Sequence, residues 1–196
     1  MREFILRALK SKTSPFDVND LANAGRMDIV CDCISTALFT ASDVRKDTII
    51  HVILEGPSYP PKTISFIGNQ LKNLDYDQKS IAQAINIALR KGINLKLNQD
   101  FDFRNGILVS KKSFEHLVKE KVKNSMLVYL NKHGEDIRAQ KFQDNVTFIF
   151  GDYIGMPKKT EKLLERIGAK KIRLGPKMLF ASHCITIVHN ELDRAN

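Results

Sequence analysis

The sequence contains no tryptophan, three cysteines and six prolines in 196 residues. Cys31, Cys33 and Cys184 cannot all pair, and neither a secretory leader nor a dense cysteine framework accompanies them, so reduced thiols are expected. The Cys31-x-Cys33 spacing invites a zinc assignment, but zinc wants four ligands and no Cys/His pair stands at finger-like spacing, so no metal is expected. No uncharged run approaches the ~20 apolar residues of a membrane span, and the charged start at Arg2 and Glu3 leads into no signal-peptide pattern. A cytoplasmic protein without membrane contact is expected. Familiar catalytic signatures are missing too: no G-x-G-x-x-G after a strand, no Walker A, no G-x-S-x-G and no H-E-x-x-H.

Acidic residues are scarce, 22 against 31 basic, which gives a formal charge of +9 and suits a polyanionic partner without identifying one. The excess is uneven. Between Lys158 and Arg173 seven basic residues face two acidic ones, and Arg2, Arg7, Lys10 and Lys12 crowd the N-terminus.

Hydrophobic residues make up 43% and charged ones 27%, the balance of a folding globular chain, and the length suits one core, so a single domain over 1–196 is expected. Glu3 to Leu9 reads as a strand closed by the turn-forming Lys10 to Pro15. After a loop rich in Asp and Asn, Met27, Val30, Ile34, Ala37 and Leu38 form a helical stripe; Arg26 and Asp28 are expected in its first turn, and Cys31 on its apolar face. Thr48 to Leu54 reads as a strand covered on both faces and Lys62 to Ile67 as another, followed by a helix from Gln78 to Arg90 ending at Gly92. Asp100 to Gly106 reads as a turn-rich excursion, Ile107 to Val109 as a strand, and Ser113 as the cap of a helix running towards Lys123.

The second half alternates strands at Met126–Leu130, Val146–Phe150 and Ile172–Leu174 with a helix near Lys159–Ile167 that ends at Gly168, an α/β signature. In such sheets ligands bind beyond the carboxyl ends of strands, here just after Leu130, at Gly151 and at Leu174-Gly175. The tail breaks at Gly175-Pro176 and then enters a last helix with Ile185, Val188 and Leu192 along one side. His51, alone within a strand, reads as structural.

An L-G-P turn, then Met178-Leu179, then Ser182-His183-Cys184 opening the final helix resembles the cofactor loop of the SPOUT class of RNA methyltransferases. Within that class nearly the whole chain resembles the archaeal tRNA pseudouridine-54 N1-methyltransferase family. The matching pieces are Gly25-Arg26-Met27-Asp28, Leu54-Glu55-Gly56-Pro57, Asn105 to Val109 with Ser113-Phe114-Glu115, Gly151-Asp152 and Leu174-Gly175-Pro176. The resemblance implies a parallel-sheet α/β core with a C-terminal trefoil knot, a homodimer, and S-adenosylmethionine-dependent methylation of N1 of pseudouridine 54 in the T-loop of tRNA. Ribosomal RNA as the substrate, or RNA binding without catalysis, are the competing readings. Carried over by position, the cofactor contacts fall at Leu130, Gly151, Leu174, Gly175, Pro176, Lys177, Met178, Leu179 and Cys184.

Arg26 and Asp28 stand at a loop-to-helix junction, where exposed N–H groups attract RNA phosphate. Methylation at N1 requires the nitrogen's proton to leave, so Asp28 is expected to orient or accept it and Arg26 to meet a phosphate or the developing charge on a base carbonyl. A dimer seam is expected along Ile185, Val188 and Leu192.

Overall fold

The computed structural model describes residues 1–102 and 105–195. Its strands are β1 (Arg2–Ala8), β2 (Thr48–Leu54), β3 (Lys62–Ile67), β4 (Asp100–Asp102), β5 (Ile107–Ser110), β6 (Met126–Asp136), β7 (Val146–Gly151) and β8 (Lys170–Arg173). Its helices are α1 (Met27–Leu38), α2 (Gln78–Lys91), α3 (Phe114–Lys121), α4 (Lys158–Arg166) and α5 (Ala181–Ala195), with single 3₁₀ turns at Gly68–Gln70 and Ile137–Ala139. The expected elements recur within a few residues. The excursion at Asp100 to Gly106 instead opens with the short strand β4, antiparallel to β5; Phe103 and Arg104 lie outside the described residues.

One sheet of order β4-β5-β3-β2-β1-β7-β6-β8 runs through the molecule. Its centre, β2-β1-β7-β6-β8, is parallel, and β3 and β5 extend it antiparallel. The period-2 alternation of side chains sorts the apolar strands onto two faces. Phe4, Leu6, Ile50, Val52, Val128 and Phe148 point into one core with α1, α2 and α5, whereas Ile5, Ile53, Tyr129 and Ile149 point into a second with α3 and α4. Strands buried on both faces need continuous apolar runs, which β1, β2 and β7 supply.

Cys31 and Cys33 are fully buried in the first core beside Met27 and Ile34. Ser113 caps α3 by accepting from the His116 N–H at 3.2 Å, and Asp77 caps α2 from the Ser80 N–H at 3.0 Å. His51 sits in the sheet, bonded to Ser65 Oγ at 2.7 Å and Glu3 at 2.9 Å. Ile185, Val188 and Leu192 are buried against α1 and β1, so the expected dimer seam is corrected: that stripe closes the protomer's own core and offers nothing to a second copy. Each buried side chain of this size contributes roughly 1.5–3 kcal/mol to docking α5.

Candidate functional site

Because the five central strands are parallel, their carboxyl ends share one edge, and the sequence-expected residues gather there. Gly151 ends β7 in register with Arg7 of β1, and Leu130 stands opposite Ile172 of β8, one residue from the loop that begins at Leu174. Leu130 and Leu174 rest on the rim of the first core, and with Leu179 they keep part of their surface open. The loop itself projects. Pro176, Lys177 and Met178 are exposed, Met178 by 78%, and Phe180 by 74%. Gly175 holds φ at 155°, and a Cβ built there would meet nothing within 4 Å. That combination of glycine-favouring backbone and open space lets a ligand approach the main chain. Cys184 lies beneath the loop, its Sγ 4.0 Å from the Leu179 carbonyl, and burial pushes its thiol up to about 11.

The turn after β7 is fastened from inside. Asp152 Oδ2 accepts the Leu9 N–H at 3.0 Å, its Oδ1 accepts the Ile154 N–H at 2.9 Å, and burial raises its pKa. Gly151 leaves no room for a side chain, since a Cβ would come within 2.7 Å of the Gly155 backbone. So held, the turn presents Tyr153, 55% exposed.

Tyr153 reaches the other half of the site. The Arg26 guanidinium lies 5.5 Å from the centroid of its ring. The same guanidinium grips Asp28 with both ends, Nε to Oδ1 at 3.0 Å and Nη2 to Oδ2 at 2.9 Å. The hydrogen bond from Arg26 keeps the Asp28 pKa below the usual carboxylate range, against the opposing effect of partial burial. Arg26 does not sit in the first turn of α1, as expected, but caps it in the left-handed region at φ 62° and ψ 45°. Such a conformation in a non-glycine residue persists only where its surroundings enforce it. The residue before Arg26 is held firmly: Gly25 packs so closely that a Cβ would fall 1.9 Å from the Lys10 carbonyl oxygen, and Ser11 Oγ donates to the Gly25 carbonyl at 2.9 Å.

Three features escaped the sequence. Tyr153 follows a strand end without any motif of its own, and the left-handed Arg26 has only Gly25 before it as a hint. The third is Arg7, 9% exposed, which binds Glu55 at 2.9 Å and Glu115 at 3.3 Å, donates to Thr160 Oγ1, and lies 4.7 Å from the Phe114 ring centroid. This cation locks β1, β2, α3 and α4 together behind the site. Among the described residues no group of three or more His, Cys, Asp or Glu side chains is placed to hold a metal ion, and no helix is long and apolar enough to cross a membrane.

Comparison with known proteins identifies the family of the chain as a whole. A family model of SAM-dependent RNA methyltransferases matches residues 1–196. The chain is 42% identical to the tRNA (pseudouridine(54)-N(1))-methyltransferase of Methanococcus aeolicus, over 100% of this chain and 98% of that one. It is 41% identical to the enzyme of the same name from Methanocaldococcus jannaschii, over 99% and 97%. In three dimensions it resembles Archaeoglobus fulgidus Nep1 bound to S-adenosylhomocysteine, with a TM-score of 0.63 at 13% identity, covering 98% of this chain and 96% of the other. That likeness speaks for the fold alone.

Proposed function

The chain belongs to the family of SAM-dependent RNA methyltransferases that includes the archaeal tRNA (pseudouridine(54)-N(1))-methyltransferases, and from that membership we propose that it methylates N1 of pseudouridine 54 in the T-loop of tRNA. The reading is supported by the placement, at the carboxyl ends of the parallel strands, of the open Gly175 loop after β8 and of the Arg26–Asp28 pair, whose neighbour Gly25 packs on Lys10 after β1, with Tyr153 after β7 against the guanidinium.

The residues present fit S-adenosylmethionine, which when bound supplies an electrophilic methyl group. Leu130, Leu174 and Leu179 offer apolar surface to its adenine, and Gly151 and Gly175 to Leu179 offer backbone donors and acceptors, with Cys184 packed under the loop. Arg26 meets a phosphate or the charge developing on a base carbonyl. Asp28, kept ionised by Arg26, is a poor final proton acceptor at its depressed pKa, so its work is to aim the guanidinium and to accept a hydrogen bond from N1–H while that proton passes to solvent water.

A trefoil knot and a homodimer complete the reading, in a protein that acts in the cytoplasm. Support for the knot is a double register: Ile172 stands opposite both Leu130 and Glu135 of β6, so residues 131–134 loop out of the ladder between two pairings with one residue of β8. Gly134 permits this close approach, since a Cβ there would fall 2.4 Å from the Ile172 nitrogen. The chain then returns from the outermost strand to pack α5 on α1. With the stripe of α5 buried, the surface we assign to a second copy is the projecting loop, where Met178 and Phe180 expose large apolar side chains, the most exposed of their kind among the described residues.

The test is transfer of tritiated methyl from S-adenosylmethionine to total RNA from cells lacking this modification, followed by nucleoside analysis. Label in N1-methylpseudouridine of the tRNA fraction is expected, and label confined to ribosomal RNA overturns the substrate assignment. Gly175→Val, which puts a branched side chain into the approach and forbids the observed φ, is expected to abolish S-adenosylmethionine binding in calorimetry. Unchanged affinity removes the loop from the site.

A further inference from the structure

Helix α4 carries its charges in an arrangement that costs the fold stability. Lys158, Lys162 and Arg166 recur every four residues, which stacks them in one exposed row about 12 Å long, with Lys159 beside its start. Like charges at that spacing repel. Lys158 and Lys159 also stand in the first turn, at the positive end of the helix dipole, where anionic side chains are favoured. None of these four cations has an ion-pair partner among the described residues. The helix's own acids do not relieve them: Glu165 is taken by Lys171, and Glu161 turns inward to accept from Tyr129 Oη at 2.6 Å and Asn131 Nδ2 at 3.3 Å.

Several cations elsewhere on the surface are placed differently. On α2, Arg90 and Lys91 occupy the last turn, where the dipole welcomes them. Beside α3, Lys112 pairs with Asp100 and Glu120, and Lys121 pairs with Glu3. On α4 the row begins with Lys158 and Lys159 at the positive end of the dipole, and of its members Arg166 alone stands in the last turn, where the dipole favours a cation; a bound polyanion relieves the repulsion along the row.

The row is also tied to the site. Thr160 is buried under the Arg7 guanidinium, and five residues of chain, at most about 18 Å, separate Lys158 from Tyr153. Leu163 and Leu164 seat the opposite side of α4 in the second core, so the cationic row faces outward and begins at the sheet edge where the nucleotide is to react.

Resting on the tRNA-methyltransferase reading above, we propose that the outer face of α4 is the track on which the tRNA phosphate backbone lies beyond the modified loop. Contacts of this kind fix position and contribute affinity without reading bases. The experiment compares wild type with a K158Q/K162Q/R166Q triple variant and, as a control, K79Q/R90Q/K91Q on α2. Affinity for purified tRNA is measured by fluorescence titration between 50 and 300 mM salt. In the α4 variant, tRNA affinity is expected to fall at least ~10-fold at low salt and the log–log salt slope to shrink by about two, given ~0.7–0.9 per phosphate contact. Its S-adenosylmethionine affinity is expected to match wild type and its melting temperature to stay level or rise. The control is expected to behave as wild type. Equal affinity and slope for the α4 variant and wild type overturn the proposal, as does an equal loss in the control. A wild type that binds tRNA but methylates none sinks the substrate reading alone, and the difference in slope still decides the role of α4.

Discussion

The two ends of the parallel strands are built on opposite terms. At the amino end, beneath β1, charge is buried and satisfied. Arg2, 7% exposed, binds Asp47 at 2.9 Å and Asp193 at 2.7 Å, and Asp193 also takes Arg45 at 2.7 Å. His189 of α5 lies against the Phe4 ring, accepts from Arg2 through Nδ1 at 3.1 Å, and donates through Nε2 to the Ala37 carbonyl at 3.0 Å. At the carboxyl end the charged pair is exposed, its arginine held at a positive φ, and large apolar side chains project into water. The amino end spends its polar groups on tying α5 to β1 and α1; the carboxyl end uses buried Arg7 and Asp152 in the same way behind the site but leaves the Arg26–Asp28 pair accessible to a ligand. Damage to the first is therefore expected to show in folding, and damage to that pair in chemistry.

The largest effect tests the amino end. Burial, helped by the Arg45 and Arg2 charges, lowers the His189 pKa to about 4. The folded protein thus keeps this histidine neutral at pH values where the unfolded chain, with a pKa near 6.5, is protonated. The stability it contributes is complete above pH 6.5 and is lost as pH falls towards 4, a span worth on the order of 3 kcal/mol. His51, buried and also lowered by desolvation, adds a slope of the same sign. Asp193, held at about 2 by Arg45 and Arg2, adds its loss only at lower pH. Urea unfolding from pH 7 to 4 should therefore show a slope that His189→Gln makes shallower, although the variant is less stable at pH 7. Methyl transfer per folded molecule should not change. A variant with the wild-type pH slope removes His189 from the account, and one that loses transfer while fully folded breaks the division between the two ends.

Asp28→Asn is the matching test at the carboxyl end. The amide preserves shape but gives up the charge that faces Arg26, so melting temperature and S-adenosylmethionine affinity should remain near normal. Transfer to pseudouridine-containing tRNA should fall by ~10²-fold, about 2.7 kcal/mol in the transition state, the size of losing one positioned charged group. A lower melting temperature with normal turnover would make Asp28 a helix-stabilising group and nothing more.

The contrast between the ends also explains what the sequence discloses. Both faces of β1, β2 and β7 are written in their apolar runs, and the stripes of α1, α2 and α5 in their spacing, because burial sets those patterns residue by residue. The parallel strand ends pointed to Leu130, Gly151 and Leu174 for the same reason, and the structure brings these to one edge. Helix periodicity showed that Ile185, Val188 and Leu192 are apolar together, but not what covers them, and a dimer seam was expected where the protomer's own α1 lies. The left-handed backbone at Arg26 is illegible in the sequence because the segment before it is seated on Lys10 and Ser11, distant in sequence, through Gly25. Tyr153 was hidden for a related reason: its position depends on Asp152 reaching back to Leu9, a contact across 143 residues.

Tyr153 also supplies the smallest and most discriminating test. Its ring is more than half exposed, so it adds little to the core, and what it contributes is a π face 5.5 Å from a guanidinium already committed to Asp28. At an exposed site such an interaction is worth about 0.5–1 kcal/mol. If its purpose is to keep Arg26 aimed across the edge, Tyr153→Leu should reduce methyl transfer by roughly two- to fivefold. Tyr153→Phe, which retains the π face and loses only the hydroxyl, should restore it. Neither variant should move the melting temperature or the affinity for S-adenosylmethionine, since the turn is held by Asp152 and not by the ring. Should leucine and phenylalanine lose activity equally, the hydroxyl is the working group and the stacking on Arg26 is incidental. Should leucine lose stability instead, Tyr153 belongs with the amino-end groups whose work is structural, and the division between the ends must be redrawn at this residue.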